Sequence, residues 1–152
     1  MKLLIIIRGL PGSGKTHLAK EIAQMYSKNT RDVYLASTDK FWATWDDSYN
    51  FQLKYIDLAH KWNQGVVAKC MFDQYGVIIV DNTNITFEEI APYLDMAARF
   101  GYTVEVREPQ TEWAKDVQEC HKRSVHKVPL ETIEKMAARW EDISISCVRK
   151  EY

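Results

Sequence analysis

Five consecutive apolar residues, Leu3 to Ile7, run into a glycine-rich break, which predicts a strand covered on both faces, as in a parallel sheet. Thr16 to Tyr26 then carries helical spacing through Leu18, Ile22 and Met25. Val33 to Ala36 predicts a short second strand. A long helix is expected from about Phe51 to Tyr75, with Phe51, Tyr55, Leu58 and Trp62 as its apolar stripe. Gly76 ends it, and Val77 to Val80 predicts a third strand.

After the polar stop Asp81-Asn82-Thr83-Asn84, Thr86 reads as an N-cap with Glu88 and Glu89 in the first turn. That helix should run to about Phe100 and end at Gly101. Tyr102 to Val106 alternates as a fourth strand. Thr111 to Lys122 predicts a helix with Trp113, Val117 and Cys120 on one face. Arg123 to Val128 is a basic linker, and Pro129 opens a last helix through Ile133, Met136 and Trp140. The tail from Ile143 is expected to add a short strand or to be loose. Alternating strands and helices predict an α/β fold, a small parallel sheet of about four strands with helices on both faces.

The 152 residues suit a single domain, and the net charge of −1 argues against a general nucleic-acid coat protein, which would be basic. It leaves room for an enzyme that grips only the end of a strand. Cys70, Cys120 and Cys147 are far apart and form no CxxC pair, so they give no zinc site and read as reduced thiols of a cytoplasmic protein. The opening apolar run is too short for a signal peptide, and no stretch approaches the ~18 apolar residues of a membrane span.

Chemistry enters at Gly9-Leu10-Pro11-Gly12-Ser13-Gly14-Lys15-Thr16, which satisfies G-x-x-x-x-G-K-S/T between a strand and a helix. Glycines let the backbone turn its N–H groups inward at phosphate oxygens, and the helix presents its positive end to the same anion. The pattern predicts ATP on Gly12, Ser13, Gly14, Lys15 and Thr16. Lys15 would reach the β and γ phosphates, and Thr16 would place its hydroxyl on Mg²⁺. A chance glycine-rich turn is the bland alternative.

Ligands of such sheets collect at the carboxyl ends of strands. Asp39, after the second strand, could accept the proton of a hydroxyl acceptor; it could equally cap a helix starting near Lys40. Asp81, after the third, could hold magnesium through water, although Asp-Asn-Thr-Asn is also rich in turn formers. In the basic linker, Arg123, with Lys122 behind it, could close over the transferring phosphoryl; a solvated loop is the alternative. Trp42 and Trp45 follow Asp39 in a polar and aromatic segment, where an exposed ring could stack on a base or simply cover the sheet edge. His60 and Asn63 could line an acceptor pocket or be ordinary packing.

Taken together, Arg8 to Thr16, Ser37-Thr38-Asp39, Ala59-His60-x-Trp62-Asn63-Gln64, Val80 to Asn84 and Arg123-Ser124-Val125-His126-x-Val128-Pro129 resemble the bacteriophage polynucleotide 5′-kinase family. The likeness is closest to its eukaryotic branch, the kinase-like domains of Nedd-family ubiquitin-ligase-binding proteins, and covers nearly the whole chain. The resemblance implies a four-stranded parallel sheet with a tunnel for a strand end. It implies ATP·Mg²⁺ on Lys15 and Thr16, Asp39 as general base and Arg123 as the lid arginine. The acceptor side falls to Thr83, with Asn82, Asn84 and Trp42 beside it. The phage family has a basic residue where Trp42 stands, and alignment on Thr83 sets Asn82, not Asp81, opposite its acid. The implied activity is transfer from ATP to the 5′-hydroxyl end of RNA or DNA. A kinase of a nucleoside or other small hydroxyl metabolite, and an ATP-binding regulatory module, are the rivals.

Overall fold

In the computed structural model, the described residues are 1–28, 32–43 and 53–143. The elements in chain order are β1 (Leu3–Ile7), α1 (Lys15–Ser27), β2 (Val33–Ala36), α2 (Asp39–Ala43), a 3₁₀ turn (Leu53–Tyr55), α3 (Ile56–Phe72), β3 (Val77–Asp81), α4 (Phe87–Phe100), β4 (Thr103–Arg107), α5 (Val117–Arg123) and α6 (Leu130–Arg139). The sheet order is β2-β3-β1-β4 and every pairing is parallel.

The all-apolar β1 sorts its side chains by the two-residue period of a strand. Leu3, Ile5 and Ile7 pack with Ala19 and Ile22 of α1. Leu4 and Ile6 face the other way, against Val67 and Met71 of α3 and Ile90, Tyr93 and Ala97 of α4. Helices therefore cover both faces. Ile5, Ile6 and Ile7 are wholly buried, each contributing about 2 kcal/mol by transfer from water. The register pairs Ile7 with both Asp81 and Arg107, and Ala36 with Val80. The strands thus end level, and the loops that follow them gather along one edge.

Two helical faces differ from expectation. On α3 the buried residues are Ala59, Asn63, Val67, Cys70 and Met71, while Leu58 is half exposed. Val67, Cys70 and Met71 pack with the sheet, and Ala59, with Tyr55 and Trp62, packs on the flank against Phe41 and Trp42. Phe51 and Trp45 lie outside the described residues. On α1, Ala19 and Ile22 are buried and Met25 is exposed.

The segment expected as one helix from Thr111 to Lys122 is a turn followed by the shorter α5. Asp116 starts that helix by accepting from the Glu119 N–H at 3.1 Å. The residues before it reach back to the phosphate loop. Ile143 packs on the main core, and the chain after it lies outside the described residues. Among the described residues no helix is long and apolar enough to cross a membrane.

Candidate phosphoryl-transfer site

The loop between β1 and α1 turns through Gly12 at φ +78° and Gly14 at φ +107°, a region that favours glycine. A Cβ on Gly12 would lie 2.0 Å from the Cys120 carbonyl oxygen and 3.0 Å from the Ser124 nitrogen. The end of α5 therefore rests on the loop's backbone. Two further groups clamp it from the β4 side: Trp113 Nε1 donates to the Gly12 carbonyl at 3.1 Å, and Thr111 Oγ1 to the Ser13 carbonyl at 2.9 Å.

Lys15, the first residue of α1, is half-buried and donates from Nζ to the Leu10 carbonyl at 2.9 Å. Burial lowers its pKa from the ordinary lysine value, and the nearby charges of Asp81 and Asp39 partly offset this. Thr16 Oγ1 donates to Asp81 Oδ2 at 3.3 Å, joining α1 to the end of β3. Burial raises the Asp81 pKa, against the pull of Lys15 and the Thr16 hydrogen bond. Asp39 sits at the start of α2, its carboxylate half exposed, with Oδ2 3.6 Å from His126 Nε2.

The polar stop after β3 divides its four residues. Asp81 turns to Thr16, and Asn82 turns to β2, where its Oδ1 accepts from the N–H and hydroxyl of Thr38, both at 3.0 Å. Of the two, Asp81 is the one whose side chain hydrogen-bonds Thr16. The Thr83 carbonyl accepts from the Gly9 N–H at 3.0 Å. Asn84, at φ +47°, is turned inward and donates from Nδ2 to the Ile7 carbonyl at 2.8 Å. Its side chain is buried and bonded to the end of β1.

Trp42 also departs from expectation. It is 2% exposed and packs with Phe41 and Ala59, the Phe41 ring edge-on at 4.9 Å. With its ring face covered, it offers no stacking surface. Arg123 is held beside the loop: its Nε donates to Glu119 Oε1 at 2.9 Å and its guanidinium lies 3.6 Å from the Trp113 ring centre.

Sequence reasoning passed over Arg8. Its guanidinium is wholly buried, donates to the carbonyls of Asn84, Ile85 and Glu141 at 2.7–2.8 Å, and stacks on Trp140 at 4.2 Å. It ties the phosphate loop to the β3–α4 loop and to the end of α6. A cation between an apolar strand and a glycine turn was the available signal. Trp113, read only as part of an apolar stripe, is the loop's clamp.

Hard oxygen donors, Thr16 Oγ1 and Asp81 Oδ2, suit Mg²⁺. Ser13 Oγ and Asn82 Nδ2 are buried without a partner among the described residues, and a loop of this kind can hold an anion on its backbone N–H groups. The residues present fit ATP·Mg²⁺.

A family model described as an AAA domain matches residues 4–143. The chain belongs to that family. Its fold is that of the P-loop kinases. The human NEDD4-binding protein 2 is 34% identical over 139 residues, which is 91% of this chain and 8% of that protein. The rat 2′,3′-cyclic-nucleotide 3′-phosphodiesterase is 30% identical over 135 residues, 89% of this chain and 30% of that protein. The chain thus spans under a third of the length of either curated relative. A solved structure of the Pnkp1/Rnl/Hen1 RNA repair complex contains a chain sharing the fold at a TM-score of 0.67 and 20% identity, over 91% of this chain and 43% of that one.

Proposed function

We propose that this chain is one catalytic domain that moves the γ-phosphoryl of ATP to the 5′-hydroxyl end of a polynucleotide, in the cytoplasm. The observation that carries the transfer reading is the convergence of Lys15, Asp81 and Asp39 from three neighbouring strand ends, close enough for both carboxylates to act on the Lys15 charge. Such a site needs a cation for phosphate, an oxygen pair for the metal and a base for the acceptor.

In this reading the loop N–H groups and Lys15 bind the phosphates, and Lys15 exchanges the Leu10 carbonyl for phosphate oxygen. Thr16 and Asp81 would hold Mg²⁺, which would supply positive charge to offset that of the phosphates. Asp39 takes the acceptor's proton as its oxygen attacks phosphorus and ADP leaves. Arg123 leaves an exposed ion pair worth about 0.5 kcal/mol and an aromatic contact worth about 1 kcal/mol. That cost is small beside a charge-assisted bond to phosphate, so its present pose does not bar a lid role.

The polynucleotide acceptor rests on the sequence resemblance and on the company of an RNA repair chain and a cyclic-nucleotide phosphodiesterase among the similar proteins. The second reading, a small hydroxyl metabolite, is favoured by one observation: Trp42 is buried and supplies neither a cation nor an open ring. The test offers γ-labelled ATP and Mg²⁺ with 5′-hydroxyl RNA, 5′-hydroxyl DNA, a nucleoside or no acceptor. Label on a polymer end supports the proposal. Label only on the nucleoside supports the second reading, and no label on any acceptor contradicts both.

A further inference from the structure

His126 meets Asp39 although the two belong to opposite edges of the sheet. Asp39 follows β2, one edge, and His126 follows β4 and α5, the other. Three strand spacings, about 14 Å, separate those edges. A contact of 3.6 Å between His126 Nε2 and Asp39 Oδ2 therefore requires the α5–α6 connection to cross the mouth of the phosphate loop.

That connection has a fixed shape. The Val128 N–H donates to Ser124 Oγ at 3.2 Å, and His121 Nδ1 lies 2.9 Å from the Val128 carbonyl. The Lys127 N–H closes a turn on the Ser124 carbonyl at 3.2 Å, with Lys127 at φ +52°. Ser124 is itself buried against Gly12. The foot of the turn stands on the phosphate loop and its tip, with His126, reaches the carboxylate.

Asp39 has less support than its role needs. It sits at the start of a five-residue helix, its side chain is half exposed, and its N–H is held by Ser37 Oγ at 3.2 Å. An exposed carboxylate rotates freely, whereas a general base must hold one oxygen towards the acceptor. A donor on Oδ2 would leave Oδ1 for the substrate. We infer that His126 is a positioning residue: it orients Asp39 through Oδ2, so that the base is set when the α5–α6 connection lies across the phosphate loop. At 3.6 Å the pair is within ion-pair range and longer than a hydrogen bond, and a lid movement of about half an ångström would bring it to bonding distance.

The inference rests on the proposed transfer reaction and adds no reactant to it. The acceptor O–H proton passes to Asp39, the acceptor oxygen bonds to phosphorus, and the bond from phosphorus to the ADP oxygen breaks. His126 exchanges no proton in that scheme.

The experiment measures steady-state transfer to the best acceptor for the wild type, H126A, H126Q, D39N and the H126A/D39N double variant. Glutamine can place an amide donor near the position of Nε2. H126A is expected to lower kcat about tenfold, the worth of one hydrogen bond to a charged group, with KM for ATP unchanged. H126Q should recover most of that loss. In D39N, whose side chain is no longer a carboxylate to be aimed, H126A should cost nothing further. An undiminished kcat in H126A, a loss confined to KM for ATP, a glutamine as poor as alanine, or an equal loss in the D39N background would each overturn the inference. An inactive wild type would instead remove the proposed function, and the inference with it.

Discussion

Thr16 Oγ1 stands 3.3 Å from Asp81 Oδ2, so the first turn of α1 is hydrogen-bonded to the last residue of β3. Because β1 and β3 are neighbours with level ends, this one contact fixes the phosphate loop relative to the carboxylate beside it. It also places an ionised group where burial disfavours it. Such a site gives up stability to hold its ligand.

D81N should therefore raise thermal stability without ligand at neutral pH, by about 2–4 °C in Tm if burying the charge costs roughly 1 kcal/mol. The sign follows from linkage. The folded pKa of Asp81 lies above the unfolded value, so the native state holds the proton longer and ionisation weakens it as pH rises through that range. Below the ordinary carboxylate range both states are protonated, and the gain should vanish. Scanning calorimetry of both proteins at neutral and acidic pH checks this; an equal gain at every pH contradicts it.

G12A should be among the more damaging changes in the chain. The new Cβ would sit 2.0 Å from the backbone oxygen of Cys120, at a φ of +78°. Neither neighbour is a flexible side-chain tip, so α5 must move off the loop. A loss of about 2 kcal/mol or more is expected, a fall in Tm of roughly 4–8 °C. A melt indistinguishable from the wild type would show that α5 does not rest there.

Arg8 predicts a loss that charge alone would not. R8M keeps much of the apolar stem but removes the donor to the buried carbonyls of Asn84 and Ile85 and to the partly buried carbonyl of Glu141. The loss costs about 1–3 kcal/mol for each buried carbonyl left unpaired, readable as a lower urea midpoint. R8K cannot fork to three carbonyls and should recover only part of it.

The order of elements was legible because β1 and β3 are apolar runs bounded by glycine or polar stops, because β4 alternates directly after Gly101, and because the phosphate loop is chemically narrow. The faces of α1 and α3 were less so. Helix α1 buries Ala19 and α3 buries Ala59 and Asn63, whereas hydrophobicity alone favours the larger Met25, Leu58 and Trp62. Trp42 misled for a related reason: polar neighbours suggested exposure, but Phe41 and α3 cover it. Arg8 and Trp113 were missed because their partners are backbone carbonyls, far away in sequence, that no pattern of residue types encodes.

The most direct test of the central claim compares wild type and D39N in a single turnover with γ-labelled ATP and the best acceptor, alongside equilibrium ATP binding. The account predicts unchanged ATP affinity and transfer slowed by about 10²-fold or more. Transfer at the wild-type rate in D39N would contradict it, because the account gives the acceptor's proton to Asp39 and assigns Asp81 to the metal.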